Sequence, residues 1–250
     1  MALAKPRITA LVVFTTAIGL WLAPHGLRPV TIALTLVGTV LIVAAANVLN
    51  MYLERDTDAL MARTMSRPLP AHRMDPGVAL RFGVALAAVS VPLLTFAVGA
   101  LPGLLASIAL VSYVLLYTPM KRQTATSLLV GALPGAIPPL IGWTAATERL
   151  DLPGVLLFAV MFLWQVPHFL AITLFRKEEY ARAGLVVQPN LGVGRGAYLA
   201  VALMVGAIFL GYAIGGLRQG AGRRWARNLF LLSLLYLPVL FGALVLDRHP

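Results

Sequence analysis

Apolar runs of about 20 residues recur along almost the whole of this 250-residue chain, each long enough to cross a hydrocarbon layer ~30 Å thick. That pattern excludes a soluble globular protein. Hydrophobic residues make up 60% of the chain and charged residues 12%, about half the ~25% charged share of soluble domains. The runs fall at 8–24, 29–50, 78–98, 101–118, 127–146, 152–174, 196–217 and 229–246. They predict an all-α polytopic transmembrane bundle of about eight helices, with residues 1–250 forming a single transmembrane domain. The first run continues as a full span without the layout of a cleavable signal, so it is read as retained. With no Cys, chemistry rests on carboxylates, His, Lys, Arg or hydroxyls.

The net charge of +11, from 20 Lys plus Arg against 9 Asp plus Glu, sits in the loops and therefore reports topology rather than nucleic-acid binding. On the side of the N-terminus lie Lys5, Arg7, Arg55, Arg63, Arg67, Arg73, Arg81, Lys121, Arg122, Arg176, Lys177, Arg182 and Arg195; the opposite loops between these helices carry only Arg28 and Arg149. This asymmetry places the N-terminus in the cytoplasm of an integral membrane protein, most simply in a bacterial plasma (inner) membrane. Eight crossings would leave Arg218, Arg223, Arg224 and Arg227 outside, against the trend. Pro134, Pro138 and Pro139 interrupt the fifth run and Pro167 the sixth, as packing kinks or as the walls of a cavity.

Where the second run meets polar sequence, NVLNMYLERDTD at 47–58, a helical rotation of 100° per residue puts Asn47, Asn50, Glu54 and Asp58 within an arc of about 80°. Asp56 points away. Two carboxylates with amide carbonyls on one face suit a hard divalent cation that keeps waters and bridges to phosphate, Mg²⁺ (or Mn²⁺) being the natural choice. The plainer reading is that these charges mark the interface, with Glu54 or Asp58 paired to Arg55 or Arg63. Four polar positions in a stripe are nevertheless expensive at a membrane helix end unless they face a cavity or a partner.

The sixth run ends in a second stripe, LWQVPHFLAITLFRKEEYARAG at 163–184, in which Gln165, His168, Arg176 and Glu179 share a face and Glu178 does not. His168 is either a hydrogen-bonded structural group or a functional one. On the same side stand Arg63, Arg67, Lys121 and Arg122, solvated topology markers taken singly. Jointly, they and a carboxylate-bound metal could neutralise a diphosphate leaving group.

At these residues the chain resembles the UbiA superfamily of intramembrane prenyltransferases and, within it, the protohaem IX farnesyltransferase (haem O synthase) family. Asn50, Glu54 and Asp58 match its Asn-x-x-x-Asp-x-x-x-Asp motif, and Arg63, Thr64, Arg67 and Pro68 its Arg-Thr-x-x-Arg-Pro run. YTPMKR at 117–122, GALPGAIPPLIGW at 131–143, LWQVPHF at 163–169 and FRKEEYARAG at 175–184 also agree, over about residues 5 to 247. The Trp-Gln-x-Pro-His block separates this family from quinone prenyltransferases. The resemblance implies a bundle around a central cavity opening to the cytoplasm, a divalent ion on Glu54 and Asp58, and Asn50 orienting that ion or its water. It further implies diphosphate on Arg63, Arg67, Lys121 and Arg122, and transfer of farnesyl from farnesyl diphosphate to a vinyl group of haem b. Gln165, His168, Arg176 and Glu179 would then serve the haem or the diphosphate. Membrane lipids, and haem-A-synthesis or terminal-oxidase assembly proteins, are the implied neighbours.

The chain departs from the family pattern in two ways. Glu54 and Glu179 stand where Asp is usual, and one extra methylene moves a carboxylate by roughly 1.5 Å. PNLGVGRGA at 189–197 takes the place of a whole helix, leaving eight spans where the family has nine. Competing readings are prenylation of another aromatic or quinone precursor, a non-catalytic haem-handling or assembly subunit, and a transporter.

Overall fold

The computed structural model describes residues 5–24, 27–124 and 126–186, with isolated positions beyond. By its internal contacts the chain divides into two units, Met1–Val187 and Gln188–Pro250. The runs at 196–217 and 229–246, the stretch 189–197 and the basic loop 218–228 lie outside the described residues. Among those described, every regular element is helical: α1 Pro6–Leu22, α2 Pro29–Leu53, α3 Arg55–Asp58, α4 Pro76–Pro92, α5 Ala100–Val111, α6 Thr118–Met120, α7 Ser127–Thr147, α8 Leu152–Phe175 and α9 Lys177–Arg182. A π-helical turn extends α4 to Val98, and another, Ser112–Tyr117, joins α5 to α6.

Four stretches are long and apolar enough to cross a membrane, Pro29–Leu53, Pro76–Val98, Ala100–Met120 and Ser127–Thr147, and Pro6–Leu22 and Leu152–Gln165 are shorter apolar helices. They coincide with the first six apolar runs. Helix starts follow local chemistry: α1, α2 and α4 each begin at a proline, whose missing N–H is no loss in a first turn. Asp75 caps α4 by accepting the Val78 N–H at 3.0 Å.

α7 is the central element. Of its most apolar stretch 72% is buried, against 22% for Pro76–Val98, whose Phe82, Val89 and Phe96 face outward as lipid contacts would. Ile42, Leu94, Leu105, Ala106, Ile137, Leu140 and Ile141 form the core between α2, the end of α4, α5 and α7. Against α1 the contact is backbone to backbone: a Cβ on Gly19 would lie 2.0 Å from the Pro139 carbonyl oxygen, and one on Gly142 2.0 Å from that of Thr16. Small residues permit such an approach where no hydrophobic force drives helices together.

Three of the four prolines lie in α7. Pro134, Pro138 and Pro139 sit inside one helix, with Pro138 and Pro139 buried. Two π-helical turns interrupt the α-helical pattern, the first directly after Pro92.

Candidate active site at the charged end of the bundle

α2 ends at Leu53, and Glu54, with φ −95° and ψ 5°, bends the chain into the single turn α3. The stripe survives the bend. Asn47, Asn50 and Asp58 are buried, Glu54 is partly buried, and Asp56 is exposed and paired only with its neighbour Arg55, as the rotation predicts. Thr64 holds the turn by donating its hydroxyl to the Asp58 carbonyl at 2.8 Å.

Neither carboxylate pairs with Arg55 or Arg63. The Lys121 ammonium donates to Glu54 Oε1 at 2.8 Å, and Arg67 Nη1 to Asp58 Oδ2 at 2.6 Å. The Asp58 side chain is 1% exposed, so this pair is desolvated and charge-assisted. Lys121 also lies 4.3 Å from the centre of the Tyr117 ring. Burial opposes its charge, but Tyr117 and Glu54 outweigh burial and hold the ammonium above the ordinary lysine range. Arg122 hydrogen-bonds the Thr57 hydroxyl, fastening α3 to the 121–126 loop.

Two participants are not among the residues singled out by the motif. In sequence Lys5 is one more charge flanking the first span, yet its ammonium donates to Asn50 Oδ1 at 3.2 Å. Burial first, then the charges of Arg67 and Lys121, lower Lys5 to about 8, against the upward pull of Glu54 and Asp58. Thr118 accepts from Asn50 Nδ2 at 3.0 Å and donates to the Tyr113 carbonyl at 2.8 Å. That carbonyl, five residues back, also takes the Thr118 N–H through the π-helical turn. The only sequence signal for Lys5 is a cation directly before a proline that opens a membrane helix.

The second stripe is not drawn into this network as a unit. Gln165 is buried and donates to the Met161 carbonyl at 3.2 Å, with its Oε1 packed where a Cβ on Gly135 would stand. His168 is exposed and stacks on Trp164, ring centres 4.7 Å apart. Arg176 pairs with Glu179 at 3.0 Å, and Glu179 also accepts the backbone N–H of Arg63 at 3.4 Å. Burial raises the Glu179 pKa, but Arg176 and Arg63 outweigh it and hold the carboxyl below its usual range. Of the proposed diphosphate cations, Arg67 and Lys121 meet the first stripe's carboxylates, Arg122 meets Thr57, and Arg63 meets Glu179 through its backbone.

Among the described residues no three His, Cys, Asp or Glu side chains group as a metal cage. Two carboxylates and an amide fit a different ion, one that keeps waters and shares its shell with substrate phosphates, as Mg²⁺ does. A bundle of apolar helices with a cluster of paired acids and cations at one end defines an integral membrane protein. The chain belongs to the UbiA prenyltransferase family, whose profile matches residues 12–218.

The chain is 50% identical to the protoheme IX farnesyltransferase of Sorangium cellulosum, over 94% of this chain and 99% of that one. It is 47% identical to the protein of the same name from Myxococcus xanthus, over 100% and 94%. The latter match spans 277 positions against 250 residues here, so at least 27 positions face no residue of this chain. One span needs about 20, so the difference agrees with one helix fewer. The fold is shared with a UbiA homolog from Archaeoglobus fulgidus bound to DMAPP and Mg²⁺ (TM-score 0.72, 16% identity, 96% of this chain and 85% of that one). It is shared also with an apo UbiA homolog from Aeropyrum pernix K1 (TM-score 0.67, 19% identity, 97% and 98%).

Proposed function

We propose that this protein transfers the farnesyl group of farnesyl diphosphate to a vinyl group of haem b, giving haem O after water adds, with release of diphosphate. The observation that carries the reading is the joined cluster of Asn50, Glu54 and Asp58 with Lys5, Arg67 and Lys121, in a chain half identical to a relative named for this reaction. The reading takes residues 1–250 as one catalytic domain in a bacterial inner membrane, N-terminus cytoplasmic.

Glu54 and Asp58 would hold Mg²⁺ or Mn²⁺, with Asn50 beside them; the ion, when bound, supplies positive charge against the diphosphate. Lys121 and Arg67, with Arg63 and Arg122, bind the diphosphate and stabilise the charge that grows on it as the C–O bond breaks. The apolar walls of the bundle keep water from the allylic cation. The vinyl π electrons form the new C–C bond, and water adds to the resulting cation and loses a proton. His168, with Gln165, serves the haem at its iron or a propionate; Arg176 takes a propionate or the diphosphate, and Glu179 positions Arg176. Proteins of haem A synthesis or terminal-oxidase assembly would receive the product.

Expression in a host lacking haem O synthase, followed by chromatography and mass analysis of extracted haems, tests the reading. Haem O is expected. Haem b alone from a stably expressed chain would overturn it and fit a non-catalytic haem-handling role.

A further inference from the structure

The cluster holds three cationic side chains, Lys5, Arg67 and Lys121, against two carboxylates, Glu54 and Asp58. Arg67 and Lys121 each have a carboxylate. Lys5 does not: its ammonium rests on the neutral carbonyl of Asn50, whose amide is fixed from the other side by Thr118. An amide dipole is a weaker partner for an ammonium than an anion is, so of these three cations Lys5 has most to gain from a diphosphate. It is also held in an uncommon backbone. Lys5 adopts φ 44° and ψ 67°, the left-handed region that a side chain rarely occupies, directly before Pro6. Strain of this kind persists where the surroundings impose it, and here it accompanies a contact that spans 45 residues.

Charge balance gives the position a consequence. The five groups carry one surplus positive charge. A divalent ion alone raises that surplus to three, and a prenyl diphosphate alone, with roughly three negative charges, turns it into a deficit. Together they cancel the charge of these five groups, with Arg63 and Arg122 standing outside the count. The oxygen that Asn50 would offer an ion is also the atom that Lys5 holds.

We propose that Lys5 is a movable cation of this site: it holds the Asn50 carbonyl, yields it to a divalent ion, and then binds the diphosphate, so that the two ligands enter as a coupled pair. This rests on the diphosphate and metal reading of the cluster given above. Lys5 therefore competes with the metal and assists the diphosphate, two effects of opposite sign that a lysine remote from both ligands would not produce.

The test uses the purified full-length protein and Lys5→Met, with each ligand measured without the other. Mn²⁺ binding is followed by electron paramagnetic resonance, and inorganic pyrophosphate binding in EDTA by calorimetry. Lys5→Met should bind Mn²⁺ about tenfold more tightly and pyrophosphate about tenfold more weakly, within the usual range of coupling between sites. Lys5→Arg, which keeps the charge, should restore the pyrophosphate affinity. Affinities that do not change, or that move in the same direction, overturn the role of Lys5 and leave the site reading standing. Wild-type protein that binds neither probe overturns both. Should Lys5→Met fail to melt cooperatively, Lys5→Gln replaces it under the same criteria.

Discussion

The two polar stretches that leave the bundle at its charged end, 47–58 and 163–184, carry similar residues but are assembled differently. In the first, most of the polar side chains are met from a distant part of the chain, Asn50 by Lys5 and Thr118, Glu54 by Lys121 and Thr57 by Arg122, while Asp58 is met by Arg67 from the turn that follows α3. In the second, Arg176 with Glu179 and Arg182 with Glu178 are local ion pairs, and Glu179 also takes a 3.4 Å backbone donation from Arg63. Long-range pairing fixes geometry to a fraction of an ångström because several elements must agree, whereas a pair within one helical turn follows that helix wherever it goes. On the proposed function, the first stretch is the one that would place the metal and the leaving group.

If this contrast is right, the largest effects belong to the first stretch. Asp58→Ala should lower haem O formation by about 10³-fold, the scale of losing one preorganised electrostatic contact. It should also cost about 3 kcal/mol of stability, because Arg67 is left unpaired beside a buried site. Haem analysis and thermal melting in detergent measure the two. Glu54→Ala should lose activity comparably, whereas Glu54→Asp, which restores the family's usual residue, should match or exceed wild type. An active Glu54→Ala protein would remove that residue from the mechanism.

Lys121→Met comes next. It leaves Glu54 without its 2.8 Å partner and takes a cation from the leaving group. About a 10²-fold fall in kcat/KM for farnesyl diphosphate is expected, with the haem KM little moved. A loss confined to the haem KM would reverse the assignment of the two stretches.

The six spans were legible because twenty apolar residues in a row admit few alternatives; the run read at 127–146 is the helix Ser127–Thr147. The Asn50, Glu54 and Asp58 stripe was legible too, since helical periodicity nearly survives the bend at Glu54. The partners of that stripe were not. That Lys121 rather than Arg63 meets Glu54, and that Lys5 reaches Asn50, depends on how helices far apart in sequence come together, and on a π-helical turn that periodicity does not encode. The same holds for the glycine contact of α1 with α7, which no single segment announces. His168 illustrates the opposite limit. Rotation put it on a face with Gln165, but packing divides them, one stacked and exposed, the other buried against α7.

That division makes His168→Ala a sharper probe than its place in the stripe suggested. With His168 serving the haem, its loss should raise the haem KM by about tenfold while leaving pyrophosphate affinity in EDTA at the wild-type value. Steady-state kinetics and calorimetry read the two quantities separately. A fall in pyrophosphate affinity would join the second stretch to the first and break the contrast between them.

The smallest effect belongs to Glu179→Gln. The carboxyl of Glu179 lies below its unfolded value near 4.5, since Arg176 and Arg63 outweigh burial. A depressed carboxylate contributes stability that is present above the unfolded value and lost as pH falls through the folded one. Wild type should therefore exceed Glu179→Gln by about 0.5 kcal/mol at pH 7, as befits a local ion pair, and the gap should close in acid. Activity should fall by about twofold through the loosened Arg176, an effect of the same small free energy. Melting curves across pH, set beside haem O yields, test both, and a loss approaching that of Asp58→Ala would place Glu179 among the groups that touch the diphosphate rather than behind Arg176.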